Sequence, residues 1–238
     1  MDYYKDYQEL FVNCTTRLPL NEIVNGVHPD ISEKGHNATP VNNPTTTNQD
    51  GTLFNGSNQY CSIEVTSDHQ VGSNDFYMSC WISIYSIPST GAAVFYYGND
   101  GNFYNSLSLI LTSGNIIQGK IYDISGQNYI STPVLSIHTW YFIEFYRISS
   151  NLYLKYNKTP VTPITTSITV GIPTTDPACN IGCVYGSTYR RYYFNGYIKD
   201  FIFIKGPSDI SKYSNLFYNR GPLYQTLQPT LSGSRGCE

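Results

Sequence analysis

A glycoside hydrolase that retains configuration needs two carboxyl groups about 5 Å apart. On one strand, at about 3.3 Å per residue, that distance separates residues two apart on the same face. The chain has 17 Asp and Glu residues, and none of them forms an acid-x-acid pair on a segment that reads as a strand. Glu64, Asp123, Glu144 and Asp200 each stand alone, and no Glu-x-Asp-x-x-Glu run occurs. A Ser-His-Asp arrangement is not signalled either. His28, His36 and His69 fall in loop-like sequence, His138 precedes a strand, and there is no Gly-x-Ser-x-Gly elbow. The residues therefore point to binding rather than catalysis. A glycoside hydrolase, with acids brought together from distant strands, is the enzymatic alternative.

Binding chemistry is better represented. Sugars are held by aromatic rings against their C–H faces and by Asn, Asp and Arg against their hydroxyls. Tyr185, Tyr189, Arg190, Arg191 and Tyr192 crowd one stretch, and Tyr97, Asn99, Asp100, Asn102 and Tyr104 crowd another. With 23 tyrosines in the chain, Tyr is also its ordinary strand residue, and structural use is the simpler explanation of either cluster. Adjacent guanidiniums in so charge-poor a sequence tip the first cluster toward recognition. Calcium is the one cofactor to consider, since hard cations take several loop oxygens. Asp75, after Ser73 and Asn74, and Asp100, within Asn99-Asp100-Gly101-Asn102, are the candidate ligands. A strand cap at Asp75 and a turn at Asp100-Gly101 would account for the same residues without metal.

The six cysteines, Cys14, Cys61, Cys80, Cys179, Cys183 and Cys237, have no zinc spacing. Disulfides in an oxidising compartment and reduced buried thiols are both compatible with them. If any pair forms, Cys179 with Cys183 is the one expected.

Charged residues make up 13% of the 238 residues, against about 25% in an ordinary soluble domain, while hydrophobic residues reach 40%. A full core can be buried, and the exterior must rely on Ser, Thr, Asn and Tyr. A net charge of −3 without a basic run argues against nucleic acid. The opening Met1–Tyr7 has no signal-peptide character, and no run approaches the roughly 18 apolar residues of a membrane span.

The elements that must carry these groups are strands. Phe76, Met78, Cys80 and Ile82 alternate with Tyr77, Ser79 and Trp81 on a central strand. Further strands fall at 92–97, 106–111, 115–122 and 128–131. A hairpin joins His138–Phe145 to Leu152–Asn157 around Ser149-Ser150-Asn151, and Leu10-Phe11-Val12 reads as a short strand. Ile164, Ile168 and Val170 put strand content into a Thr/Pro-rich stretch. After the Asn195-Gly196 turn a strand runs from Tyr197 to Ile204, with Tyr197, Lys199, Phe201 and Phe203 on one face and Ile198, Asp200, Ile202 and Ile204 on the other. Large groups on both faces predict cover on both sides. One short helix follows, capped by Ser208, with Ile210, Tyr213, Leu216 and Phe217 on its apolar stripe.

Five segments, in this order, resemble the laminin-G-like, concanavalin A-like jelly rolls. Asp30-Ile31-Ser32 with Gly35-His36-Asn37-Ala38 is similar to that family's Asp-x-Ser-Gly-x-Gly-x-x-Ala loop, with Glu33-Lys34 where a Gly is usual. Leu53-Phe54-Asn55-Gly56 through Gln59-Tyr60 and Ile63 resembles its Phe-Asn-Gly-x-x-Asp-Tyr-x-x-Ile element, with Gln59 in place of Asp. Phe76–Trp81 looks like Phe-Thr-Ile-Ser-x-Trp. Trp140-Tyr141 and Leu152–Asn157 look like the Trp-Tyr and Leu-x-Leu-Tyr-x-Asn-Gly pair, with Lys158 at the Gly position. The Phe194-Asn195-Gly196 turn before a late strand and closing helix is similar to the family's end.

The expected fold is thus all-β: a two-sheet antiparallel jelly-roll sandwich over 18–221, with a lead at 1–17, one short C-terminal helix, and a tail at 222–238. The resemblance implies a recognition module; the low charge and the Tyr, Asn and Thr content point to an extracellular or virion surface, and the loop aromatics to a glycan or cell-surface glycoprotein as partner. The alternative is a structural virion or surface-layer protein that docks neighbouring capsid or surface-layer subunits, or copies of itself, through its tails.

Overall fold

The computed structural model describes residues 14–99, 105–171, 177–184, 192–207 and 209–219. Its strands are β1 (Cys14–Leu18), β2 (Ala38–Val41), β3 (Thr45–Thr47), β4 (Gly51–Asn55), β5 (Tyr60–Ile63), β6 (Phe76–Ile84), β7 (Ala92–Asn99) and β8 (Ser106–Leu111). They continue as β9 (Ile117–Asp123), β10 (Gly126–Ser131), β11 (Trp140–Ile148), β12 (Asn151–Tyr156), β13 (Thr159–Pro160), β14 (Ile164–Thr165), β15 (Pro177–Ile181) and β16 (Asn195–Lys205). One helix, α1 (Ile210–Tyr218), follows. Leu10-Phe11-Val12 lies outside the described residues.

The strands form two antiparallel sheets. The larger runs β13-β12-β11-β6-β16-β4-β3, with β1 beside β16 and β14 beside β12; the smaller runs β10-β9-β8-β7-β15-β5-β2. Together they make an antiparallel jelly-roll sandwich. Phe76, Met78, Cys80 and Ile82 point between the sheets, where they meet Phe95, Leu107, Leu109, Ile121 and Phe145. The opposite face of β6, with Tyr77 and Trp81, is covered by α1 through Tyr213 and Phe217. Trp81 Nε1 donates to the Phe217 carbonyl at 3.4 Å. The helix starts at Asp209, whose carboxylate accepts from the backbone of Ser211 at 3.1 Å and of Lys212 at 3.3 Å. Asp209 thus holds the cap expected of Ser208, which lies outside the described residues.

β16 departs from a straight alternation. Its register slips between Lys199 and Ile202, and Asp200 takes φ +50° there. The extra residue is a bulge, and it reverses which face each side chain takes. Ile198 faces the core before it, Phe201 and Phe203 face the core after it, and Ile202 and Ile204 turn to α1. The bulge lies where β16 exchanges one neighbour, β4, for another, β1. The Asp200 amide donates to the Pro19 carbonyl at the switch. The predicted cover on both faces of this strand is present, with different residues on each.

No disulfide joins Cys179 to Cys183. Cys179 stands on β15 between Ile63 and Tyr97 and points into the core as a free thiol, and Gly182, at φ +89°, turns the chain before Cys183 is buried. Cys14, Cys61 and Cys80 are free and buried as well. No helix among the described residues is long and apolar enough to cross a membrane.

Candidate functional site

Period-two alternation on β8 sends Leu107, Leu109 and Leu111 inward and leaves Ser106, Ser108 and Ile110 on the outer face of the smaller sheet. Antiparallel register sets Ser106 opposite Tyr122 and Ser108 opposite Lys120. One strand further out, Tyr122 faces Gln127 and Lys120 faces Tyr129. The sheet therefore presents, strand by strand, hydroxyls, then a phenol and an ammonium, then an amide and a second phenol. On the inner side a Cβ at Gly119 would meet the Phe145 ring at 2.5 Å, so β9 can lie on the core here only as glycine.

Tyr192 closes the other wall. Its carbonyl accepts the Ala93 amide at 2.8 Å, and its ring packs on a small apolar group of Ala93, Tyr96, Ala178 and Val184, beside Ile110. Gly91, at φ +96°, makes room: a Cβ there would lie 3.1 Å from the Leu111 carbonyl and 3.6 Å from the Tyr192 ring. Between these walls runs a groove of about 330 Å³, which Thr90, Thr112 and Ser113 also border. That volume is at the lower end of small-ligand sites.

Among the described residues, Lys120 is the charged group of this lining. Partial burial lowers its pKa from the ordinary lysine value, and its Nζ lies 5.7 Å from the centre of the Tyr129 ring. A half-desolvated ammonium gains most from an oxygen acceptor brought to it. Hydroxyl, amide and ammonium donors beside two phenol rings suit a polyhydroxylated molecule. Among the described residues no carboxylate lines the groove. Glu144 is buried beneath α1; Asp123 accepts from the Ser125 amide at 2.7 Å and from the Thr169 amide at 3.3 Å. Asp75 accepts from the Ser149 amide at 2.7 Å, as a cap on the β11–β12 turn. No group of three His, Cys, Asp or Glu among the described residues is placed to hold a metal ion.

No protein-family model and no curated protein matches the sequence. Solved structures do match. The receptor-binding domain of the botulinum neurotoxin C/D mosaic serotype has a TM-score of 0.67 at 12% identity, over 87% of this chain and 51% of that one. A structure of botulinum neurotoxin type C, a toxin that depends on interaction with two ganglioside molecules to enter cells, has a TM-score of 0.64 at 14% identity, over 94% and 53%. Trypanosoma rangeli sialidase, bound to a difluorinated sugar acid, has a TM-score of 0.62 at 15% identity, over 87% and 32%. At such identities the likeness is one of fold. The chain spans about half the length of the neurotoxin structures and about a third of the sialidase.

Of the residues singled out from sequence, Tyr192 lines the groove. Tyr97 does not: it is fully buried between the sheets, where burial drives its phenol pKa up, and it offers no ring face to a ligand. Asn99 is buried at the end of β7, and its carbonyl accepts from the Tyr96 hydroxyl. Tyr185, Tyr189, Arg190, Arg191, Asp100, Asn102 and Tyr104 lie outside the described residues. Ser106, Ser108, Lys120, Tyr122 and Gln127 were not expected. The signal for them was the alternation itself, which sets polar residues at every second place on two neighbouring strands.

Proposed function

We propose that this chain is a laminin-G-like, concanavalin A-like recognition module that binds glycans in the groove between Tyr192 and Tyr122, without catalysis. The observation that carries this is the composition of the groove: two phenol rings, a row of hydroxyls, an amide, and Lys120 as the charge among its described residues. The matched neurotoxin domain is named for receptor binding, and the type C toxin depends on gangliosides for cell entry; both share this sandwich over about half of their length, which supports a recognition role. Lys120 directs the preference toward sugars that carry a carboxylate, sulfate or phosphate. An extracellular or virion surface is the setting that suits a charge-poor exterior rich in Tyr, Asn and Thr.

A glycan array of gangliosides, other acidic glycans and neutral glycans tests the proposal. Wild type should bind, and Tyr192→Ala or Tyr122→Ala should weaken binding at least about tenfold. Lys120→Ala should lose acidic glycans selectively. Silence of folded wild type across the array would overturn the reading. Release of free sialic acid from sialyllactose, or of sugar from polysaccharides, would overturn its non-catalytic part.

A second reading, a structural building block of a virion or surface layer, is favoured by one observation. β10 is the edge of the smaller sheet, and Ile124 and Val134 near it are 85% and 70% exposed. Size exclusion with light scattering on wild type and Ile124→Asp decides it: a monomer at every concentration counts against self-association through this edge.

A further inference from the structure

On the outer face of the larger sheet, beyond the end of α1, three strands lie abreast with Trp140 on β11, Ser83 on β6 and Tyr197 on β16 in register. The small serine leaves a floor over which the two large rings lean together, with centroids 6.0 Å apart and planes at 30°. Tyr85 stands edge-on to Tyr197 at 5.5 Å and 83°, and His138 lies 5.0 Å beyond Tyr85. The four rings form one continuous strip. Asp50, in the β3–β4 turn, completes a slot of about 210 Å³ with them and Ser83.

The slot is held open by its backbone. The His138 amide donates to the Ile84 carbonyl at 2.7 Å, with His138 itself at φ +55°. The Tyr85 amide donates to the Asn195 carbonyl at 2.9 Å, and the Asn195 side chain donates to Ser86 Oγ at 2.8 Å. Gly196, next to Tyr197, could carry no side chain, because a Cβ would fall 2.1 Å from the Ser83 carbonyl. Burial, then Tyr85 and the Asp50 carboxylate, raise the pKa of Tyr197, and that carboxylate has no hydrogen-bond or ion-pair partner among the described residues.

We propose that this slot is a second sugar site, separate from the groove on the other sheet, and that it takes a neutral pyranose. Trp140 and Tyr197 are too close for a ring to enter between them, so the sugar lies along the strip with its C–H face on the aromatics. Asp50 accepts from two neighbouring hydroxyls, and Ser83, His138 and the phenols complete the polar contacts. The lining joins four aromatic rings to a carboxylate and a hydroxyl, which suits a sugar better than an ammonium cage. The charges of the two sites differ in sign. Lys120 favours acidic sugars in the groove, whereas Asp50 repels them from the slot. The chain would then engage two different sugar units on its two opposite faces.

Tryptophan reports this site directly. The chain has two tryptophans, Trp81 buried under α1 and Trp140 in the slot. Methyl α-mannoside, methyl β-galactoside, methyl β-glucoside, N-acetylglucosamine and N-acetylneuraminic acid are titrated at millimolar concentrations into the ¹⁵N-labelled full chain. The Trp140 indole resonance and the fluorescence are followed. At least one neutral sugar should shift the Trp140 indole saturably, and N-acetylneuraminic acid should not. Asp50→Asn and Tyr85→Ala, both away from the core, should each weaken that binding about tenfold or more. Tyr192→Ala in the groove should leave it unchanged. No shift with any neutral sugar, or a shift untouched by Asp50→Asn and Tyr85→Ala, would overturn the slot. Loss of array binding in Tyr192→Ala bears on the groove alone, so the two sites stand or fall separately.

Discussion

The hydroxyl of Tyr77 donates to Oε1 of Glu144 at 3.1 Å on the face of the larger sheet that α1 covers. The Glu144 side chain is fully buried there, and its Oε2 finds no hydrogen-bond partner among the described residues. Burial raises the Glu144 carboxyl above its ordinary value of 4.5, against the opposing pull of Ser214, Lys155 and Tyr77. The folded state therefore holds this proton more tightly than the unfolded chain does. The contribution to stability is present below about pH 4.5 and is lost as pH rises through the higher folded value. Glu144→Gln should raise stability at pH 8 by about 1–3 kcal/mol and flatten this dependence, as read from urea unfolding at pH 5 and pH 8. A variant weaker than wild type at pH 8 would show that the ionised carboxylate is well accommodated.

His69 acts in the opposite sense. It is buried between Phe203 and His36, with Nε2 3.0 Å from Thr16 Oγ1. Burial, and then the neighbouring His36, lower its pKa from 6.5 to about 4. The unfolded chain takes up a proton that the folded one refuses, so stability present above pH 6.5 is lost as pH falls toward 4. His28 is lowered by burial too, and adds to the same slope. His69→Gln should cost stability at pH 7, through packing, and lose less than wild type between pH 6.5 and 4. Parallel profiles for the two proteins would rule His69 out as a source of acid sensitivity.

The buried thiols make a third test. Burial pushes Cys14 up to about 12 and raises Cys61, Cys80 and Cys179 as well. A thiol that does not ionise near neutrality is a poor nucleophile. A disulfide-exchange reagent at pH 7.5 should therefore label these four only on the timescale of global unfolding, with urea exposing them together. Rapid labelling of Cys179 in the folded protein, located by mass spectrometry, would mean that β15 opens locally.

Much of this architecture was legible in the pattern of side chains, and the failures have physical causes. On β6 the alternation of Phe76, Met78, Cys80 and Ile82 with Tyr77 and Trp81 assigned both faces, because a straight strand keeps its period. On β16 the same rule inverted every residue beyond Asp200, since a bulge shifts the period by one and Asp gives weaker notice of a left-handed φ than Gly or Asn. Tyr96 and Tyr97 read alike in sequence, yet Tyr97 lies between the sheets and Tyr96 on the outer face. The groove was missed because its groups come from β8, β9 and β10, and only pairing register brings Ser108 beside Lys120. Clusters contiguous in sequence direct attention to loops, whereas a sheet assembles its site across strands.

Arg147 joins three segments of the chain. It is 2% exposed on β11, yet its guanidinium faces backbone carbonyls rather than an acid. Nε donates to Asn74 at 2.9 Å, one terminal nitrogen to Gly72 at 2.7 Å and also to Asn74, and the other to Ile168 at 3.1 Å. The ring of Phe76 lies 5.5 Å from the guanidinium carbon. Gly72 and Val170 exchange backbone hydrogen bonds just beside this fork, so the loop before β6 and the stretch after β14 are tied at one point. Arg147→Ala would take the guanidinium donors from the Asn74 and Ile168 carbonyls, while the Gly72 carbonyl keeps the Val170 amide, at a cost of about 1–3 kcal/mol. Arg147→Lys would recover only part of this, since one ammonium does not span the fork. Urea unfolding gives the magnitude, and hydrogen exchange gives the location: the Gly72 and Val170 amides should lose protection first. A loss below about 1 kcal/mol in Arg147→Ala, with those amides still protected, would show that the loop is held by its other contacts.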